Sequence, residues 1–196
     1  MKKNTISLAV ILAIALIIII WLVSAYNGLV KKDEACSQQW SKVESQYQRR
    51  LDLIPNLVNT VKGYASHEKE TLLEVVQARN VASDSKVDPN KLTQESLDKY
   101  QASQTALKSS LDRLMVVVER YPDLKANQNF LELQSQLEGT ENRIAVERQK
   151  FADVVNAFNS KIRRFPTNII AGMFSFERKA YFASEKGAET APKVEF

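Results

Sequence analysis

NFLELQSQLEGTENRIAVERQKFADVVNAFNSKIRRFP, from Asn129 to Pro166, puts an apolar side chain at every seventh position: Phe130, Leu137, Ile144, Phe151, Phe158 and Phe165. At 3.6 residues per turn, seven residues make almost two whole turns. The repeat therefore draws one nearly straight apolar stripe along a helix. A stripe this long must be covered, which predicts a long helix packed side by side with others at a shallow angle. No stretch of the chain sustains period-two alternation, so no sheet is expected.

Two more seams precede it. Leu97, Tyr100, Gln104, Leu107, Leu111, Leu114, Val118 and Tyr121 follow one another at spacings of three and four. Earlier, Trp40, Tyr47, Ile54, Val61, Glu68, Val75 and Ala82 recur every seven residues, with Cys36, Val43, Leu57 and Tyr64 as companions and Arg50 as the exception. Punctuation lies between the seams. Ser83-Asp84-Ser85 and Asp88-Pro89-Asn90 read as a polar loop, Tyr121-Pro122-Asp123 as a tight turn, Asn127 as a helix cap, and Pro166 as a stop. Pro55 lies inside the first seam, where it removes a backbone donor and crowds the carbonyl of Leu51, so a kink or local break is expected. The first seam runs in phase through Gly63–Ser66. One helix to residue 82 would nevertheless reach about 84 Å, against about 43 Å for the second. A break at residues 63–66 gives four helices that run up, down, up and down, and this is favoured over three long ones. The fold class is an all-α, elongated antiparallel bundle.

The stretch before the bundle is of another kind. Leu8 to Val23 contains no polar residue, and Ser7 and Ser24 alone interrupt Ile6 to Ala25. Twenty helical residues span about 30 Å, the thickness of a hydrocarbon core, and Trp21 and Tyr26 suit the headgroup level at its end. Val23-Ser24-Ala25 resembles a signal cleavage site, but the apolar run exceeds the roughly 7 to 15 residues of a signal core, which favours a retained anchor. The organisation read from this is a basic flank at 1–5, a transmembrane helix at 6–25, the bundle at 26–182 and a disordered tail at 183–196. Lys2 and Lys3 precede the span, while Lys31 and Lys32 follow it, partly offset by Asp33 and Glu34. The bias is small and leans towards a bundle outside the cytoplasm.

Composition narrows the function. The net charge is +4, but without Lys2 and Lys3 the 27 basic residues fall to 25 against 23 acidic ones. Nucleic-acid binding needs a concentrated basic stripe, and none stands out. The single cysteine, Cys36, permits no intrachain disulfide and falls on the apolar seam as a small buried hydrophobe. His67 is the sole histidine, and with one Cys and one His neither a structural zinc site nor a helical zinc-protease motif can be assembled. There is no Gly-rich phosphate loop and no Gly-x-Ser-x-Gly elbow. The expectation is a non-enzyme without cofactor or metal.

Two features invite a functional reading. Arg50, Glu68, Gln104, Thr140 and Arg148 occupy or adjoin seam positions. They read either as an interhelical network fixing register, which is favoured, or as a polar layer holding a ligand. Ile169-Ile170-Ala171-Gly172-Met173-Phe174-Ser175-Phe176 is too short to span a bilayer. With four helices, the last one delivers this segment to the membrane surface, as a cap over the bundle end or as a contact with membrane or partner.

The chain also resembles a known family. Tyr26-Asn27-Gly28-Leu29-Val30 after an anchor and the run Gln48-Arg49-Arg50-Leu51-Asp52-Leu53-Ile54-Pro55-Asn56-Leu57-Val58 are similar to the bacterial LemA family. So are Val61-Lys62-Gly63-Tyr64-Ala65, His67-Glu68, Ala78-Arg79, Tyr121-Pro122-Asp123-Leu124-Lys125-Ala126-Asn127, Asn129-Phe130, Thr140-Glu141-Asn142-Arg143-Ile144 and Phe165-Pro166. Phe151-Ala152-Asp153 departs from the family's Tyr-Asn pair. The resemblance covers essentially the whole chain. It implies a membrane-anchored helical bundle of the bacterial cell (inner) membrane without an established activity, with relatives tied to envelope processes and one branch to magnetosome membranes. It supplies no catalytic residues. It marks Arg50, Asp52, Pro55, Asn56, Glu68, Arg79, Tyr121, Pro122, Glu141, Asn142, Arg143, Phe165 and Pro166 as structural or interaction positions.

The combined expectation is a non-enzymatic scaffold or adaptor of the envelope. Its partners would be the bilayer through residues 6–25, another envelope or membrane protein, and further copies of itself, with no nucleic acid. The alternatives are a ligand- or ion-sensing bundle built on Arg50, Glu68 and Glu141, and a membrane-shaping protein.

Overall fold

Helix α1 (Lys2–Tyr64) runs for 63 residues, and the apolar window near its N-terminus has no buried residue. The computed structural model describes residues 2–89 and 91–182, so Asn90 and the expected tail at 183–196 lie outside the described residues. Among the described residues every regular element is helical. The N-terminal part of α1 is long and apolar enough to cross a membrane. Beyond it the seam residues Leu29, Cys36, Trp40, Val43, Tyr47, Ile54, Leu57 and Val61 leave solvent almost completely.

The chain turns at residues 65–68, close to the expected break. The backbone closes there through Ala65 N–H to the Val61 carbonyl (2.8 Å) and Glu68 N–H to the Ala65 carbonyl (3.1 Å). The turn corrects the seam: Ala65 is buried, whereas Tyr64 faces water and Glu68 is half-buried. Reversing the chain rotates the apolar face, so a phase that looked continuous in sequence is interrupted in space. Helix α2 (Lys69–Asp84) then descends along α1. At 16 residues it covers about 24 Å, well short of α1. Residues 85–89 and 91–93, outside any helix, make up the difference, burying Val87 and Leu92 near the membrane end and giving the Pro89 carbonyl to the Ser37 hydroxyl.

Helix α3 (Gln94–Val118) ascends from a Thr93 cap, whose hydroxyl accepts the Ser96 N–H at 3.2 Å. The short α4 (Pro122–Lys125) makes the turn. Helix α5 (Gln128–Arg163) then starts from Asn127, whose Oδ1 accepts the Phe130 N–H at 3.0 Å, as the sequence led us to expect. It descends along the part of α1 that follows the apolar span and ends at Arg163, before α6 (Thr167–Met173). Phe165 therefore lies beyond the helix that carried its seam and is 81% exposed, a correction to the repeat.

α1 does not break at Pro55. The missing amide would have bonded the Leu51 carbonyl, four residues back. That carbonyl instead accepts Nε–H of Arg79 from α2 at 3.0 Å. An orphaned buried acceptor is thus satisfied from a neighbouring helix, which also pins α2 against α1. Arg79→Met keeps the apolar stem but removes the donor. It should cost about 1–2 kcal/mol of stability, seen as a lower denaturation midpoint.

Candidate functional site

The core is in two parts. A membrane-proximal cluster gathers Trp40, Tyr47, Tyr100, Ile144, Phe151 and Phe158, and a distal one gathers Leu51, Ile54, Leu107, Leu111, Phe130 and Leu137. Arg50, Gln104 and Glu141 lie at the level where one gives way to the other. The heptad spacing puts Arg50 on the inner face of α1, one turn from Tyr47 and Ile54, so its guanidinium cannot reach bulk water.

Arg50 is 2% exposed. Its Nη1–H donates to Glu141 Oε1 at 2.7 Å, and Nη2–H donates to both the side-chain and the backbone oxygen of Gln104, the latter at 3.3 Å. The guanidinium carbon lies 5.2 Å from the Tyr47 ring centroid. A buried charge is tolerated only when paired and hydrogen-bonded, and these contacts join α1, α3 and α5 in one register. Arg50 Nε and Gln104 Nε2 are buried without a hydrogen-bond partner. Both are donors, and the residues that carry them line a cleft of about 110 Å³ together with Lys108, Arg148 and the acidic Glu141.

Other motif residues scatter. Glu68 does not join this layer. It sits beyond the end of α1, about 20 Å along the helix from Arg50, and holds the distal turn. It accepts the Tyr121 hydroxyl at 2.9 Å and pairs with Arg120 at 3.2 Å. Pro122 opens α4 beside it. Thr140 is buried and returns its hydroxyl to the Gln136 carbonyl, while Arg148 is half-buried with its guanidinium over the Phe182 ring. Pro55, Asn56, Asn142 and Arg143 are exposed, so the step after Glu141 turns outward rather than marking a helix contact. Asp52, which accepts Gln48 Nε2 at 2.8 Å, lines an open polar groove between α1 and α5 with Arg49 and Arg143. Pro166 is half-buried between α5 and α6. His67 is exposed in the 65–68 turn. Among the described residues no three His, Cys, Asp or Glu side chains gather as a metal-ligand set.

Three buried titratable groups of the lower core, Cys36, Tyr47 and Tyr100, resist ionisation. Burial pushes the Cys36 thiol up to about 11, and burial likewise raises the Tyr47 and Tyr100 phenols. The unfolded chain releases these protons first, so stability present below about pH 9 should fall as pH rises towards 11. Cys36→Ala should remove the thiol's share of that loss, measured by denaturant titration at about pH 8 and about pH 10. A native thiol this deeply buried should also alkylate far more slowly than in urea.

Two arrangements escaped sequence reasoning. The first is a clasp at the membrane-proximal end. Asn159 Nδ2–H donates to the Lys179 carbonyl (2.9 Å) while its Oδ1 accepts the Lys179 N–H (3.0 Å). The Lys179 ammonium is buried against Asp33 Oδ1 at 2.9 Å. Ala180 N–H reaches the Leu92 carbonyl, and Phe182 stacks on Trp40 at 5.8 Å. The second is a groove of about 400 Å³ at the distal end, lined by Val58, Leu72, Leu73 and Val76, with Lys62, Ser66 and Lys69 at its edge. Leu73, more than half exposed on α2, was outside every seam and gave no periodic signal.

Comparison with known proteins bears on the whole arrangement. The model of the LemA family matches residues 39–196. Protein LemA of Metamycoplasma hominis is 26% identical over 164 residues, covering 82% of this chain and 69% of that protein. Magnetosome protein MamQ 2 of Paramagnetospirillum magneticum is 25% identical over 186 residues, covering 86% of this chain and 68% of that protein. Magnetosome protein MamQ of Magnetospirillum gryphiswaldense is 26% identical over the same shares.

Proposed function

This chain belongs to the LemA family, and from that premise we propose that it is a non-enzymatic, membrane-anchored scaffold that presents its distal end to another envelope protein. The protein is membrane-associated and helical, and its relatives' names are not those of enzymes. The observation that carries the finer reading is the distal groove. Its floor is Val58, Leu72, Leu73 and Val76, and Lys62 and Lys69 border it. The 39 residues from Tyr26 to Tyr64 hold it about 58 Å from the end of the apolar span. An exposed apolar recess with a basic border suits an amphipathic segment with acidic flanks. Lys2 and Lys3 before the span, against Lys31 and Lys32 partly offset by Asp33 and Glu34 after it, support a bundle outside the cytoplasm of the bacterial inner membrane.

A photo-cross-linker at position 73 of the full chain in its native membrane should capture one discrete partner. Lys62→Glu with Lys69→Glu should reduce that adduct at least about fivefold, as repulsion replaces attraction at the rim. Recovery of monomer alone, with neither partner nor second copy attached, would sink the scaffold reading. A second reading, a bundle that senses a small anion, draws on the partnerless donors Arg50 Nε and Gln104 Nε2 beside their cleft. It requires a thermal shift with some small anion, and a flat screen across halides, phosphate and carboxylates counts against it.

A further inference from the structure

We infer that α6 is a second membrane contact, its outer face lying in the lipid headgroup region beside the point where α1 leaves the bilayer. Phe165 lies just before α6, Ile169 and Met173 are spaced by four on one side of it, and Phe174 follows. They are 81%, 54%, 71% and 55% exposed, while Ile170 and Ala171 on the opposite side are buried in the bundle. The inner face of the segment caps the bundle end, and its outer face is left bare.

The position of that bare face identifies what covers it. The Phe174 ring packs on Tyr26 with centroids 4.7 Å apart, and Phe176 lies 5.9 Å from the same ring. Tyr26 is the residue that follows the apolar span, so α6 is held at the level where hydrocarbon gives way to headgroups. Exposed cations flank the face in sequence, with Arg163 and Arg164 before it and Arg178 after it. Aromatic and aliphatic side chains bordered by arginines suit the boundary of a bilayer carrying anionic lipid. A helix with one lipid contact can spin and tilt about its span. A second contact to one side fixes which face of the rod each neighbour meets, whether or not the distal groove has a partner.

The inference rests on α1 being embedded through residue 25, so the experiment reads that separately. In a Cys36→Ala background, single cysteines at Leu22, Ile169, Met173 and Val146 carry a small fluorophore in the full chain. The chain is reconstituted in vesicles of phosphatidylcholine and phosphatidylglycerol containing lipids spin-labelled near the headgroup. Positions 169 and 173 should be quenched by the spin-labelled lipid at least fivefold more than position 146 and should be shielded from aqueous iodide. Position 22 reports the span itself. If 22 is lipid-quenched but 169 and 173 behave like 146, α6 does not touch the bilayer and the inference fails while the anchor stands. If 22 is not quenched either, both fall. Shielding of 169 and 173 from lipid and iodide alike, with disulfide-linked dimers forming through the unlabelled cysteine at 173, would mean a second copy covers the face and would also overturn it.

Discussion

Replacing Glu141 by Ala should lower the unfolding free energy by about 3 kcal/mol, the bottom of the range for stranding a buried charge. Arg50 cannot escape by losing its proton, because a guanidinium stays charged in proteins, and at 2% exposure it cannot turn to water. Gln104 would remain as its hydrogen-bonding partner, but an amide neutralises nothing. The cost sits at the low end because Glu141 is itself 35% exposed, so solvent can enter where the carboxylate was. At about 2–4 °C per kcal/mol for a chain of this size, the melting temperature should drop by about 10 °C. Arg50→Met should cost less than Glu141→Ala, since the half-exposed carboxylate it leaves behind can hydrate. Arg50→Met combined with Glu141→Leu should recover most of the loss, because an apolar replacement of a buried pair is often neutral or better. Denaturant midpoints of the detergent-solubilised full chain, followed by near-UV circular dichroism, give the order. Equal midpoints for wild type and Glu141→Ala would show that the carboxylate does not hold the arginine in place.

That layer explains much about what was legible in the chain. The seams are a periodic property, and periodicity survives any number of local exceptions. Trp40, Tyr47, Leu107, Phe130, Phe151 and Phe158 are all where the sevens and fours put them. Single residues are another matter. Arg50 stood out as a charge on a seam, and Glu141 four helices later as a motif residue, but only the chain reversals between α1 and α5 set them opposite each other. The same reversal moved Glu68 away from the pair it was grouped with. Pro55 signalled a missing hydrogen bond without indicating that Arg79 supplies the substitute. The distal groove arises from two helices leaving a gap, which no stretch of either records.

Ending the chain after Met173 should produce the largest loss, about 5 kcal/mol or more, confined to the membrane-proximal half. Three partly buried aromatic side chains, Phe176, Tyr181 and Phe182, leave the core. Phe176 packs on Phe158 at 6.3 Å, and Phe182 fits between Trp40 and Phe151 at 5.8 and 5.6 Å. Fully buried Phe truncations cost about 3–5 kcal/mol each, and these two are partly open, so their joint contribution falls near the lower figure doubled and then discounted. To this is added Asn159, 3% exposed, whose amide would lose both bonds to the Lys179 backbone and face a hole. Because the Arg50 layer separates the two clusters, damage should not spread evenly. Hydrogen exchange should quicken for amides around residues 33–47 and 151–162, while those of 51–65 and 107–118 stay protected. The truncation also removes Phe174 and its packing on Tyr26, while Phe165, Ile169 and Met173 stay in the chain. If the truncated chain instead kept its full stability and lost only a protein partner, residues 174–182 would be a docking strand rather than the closure of the bundle. The Asn159 clasp would then have to be read as the means of holding that strand in place for its partner.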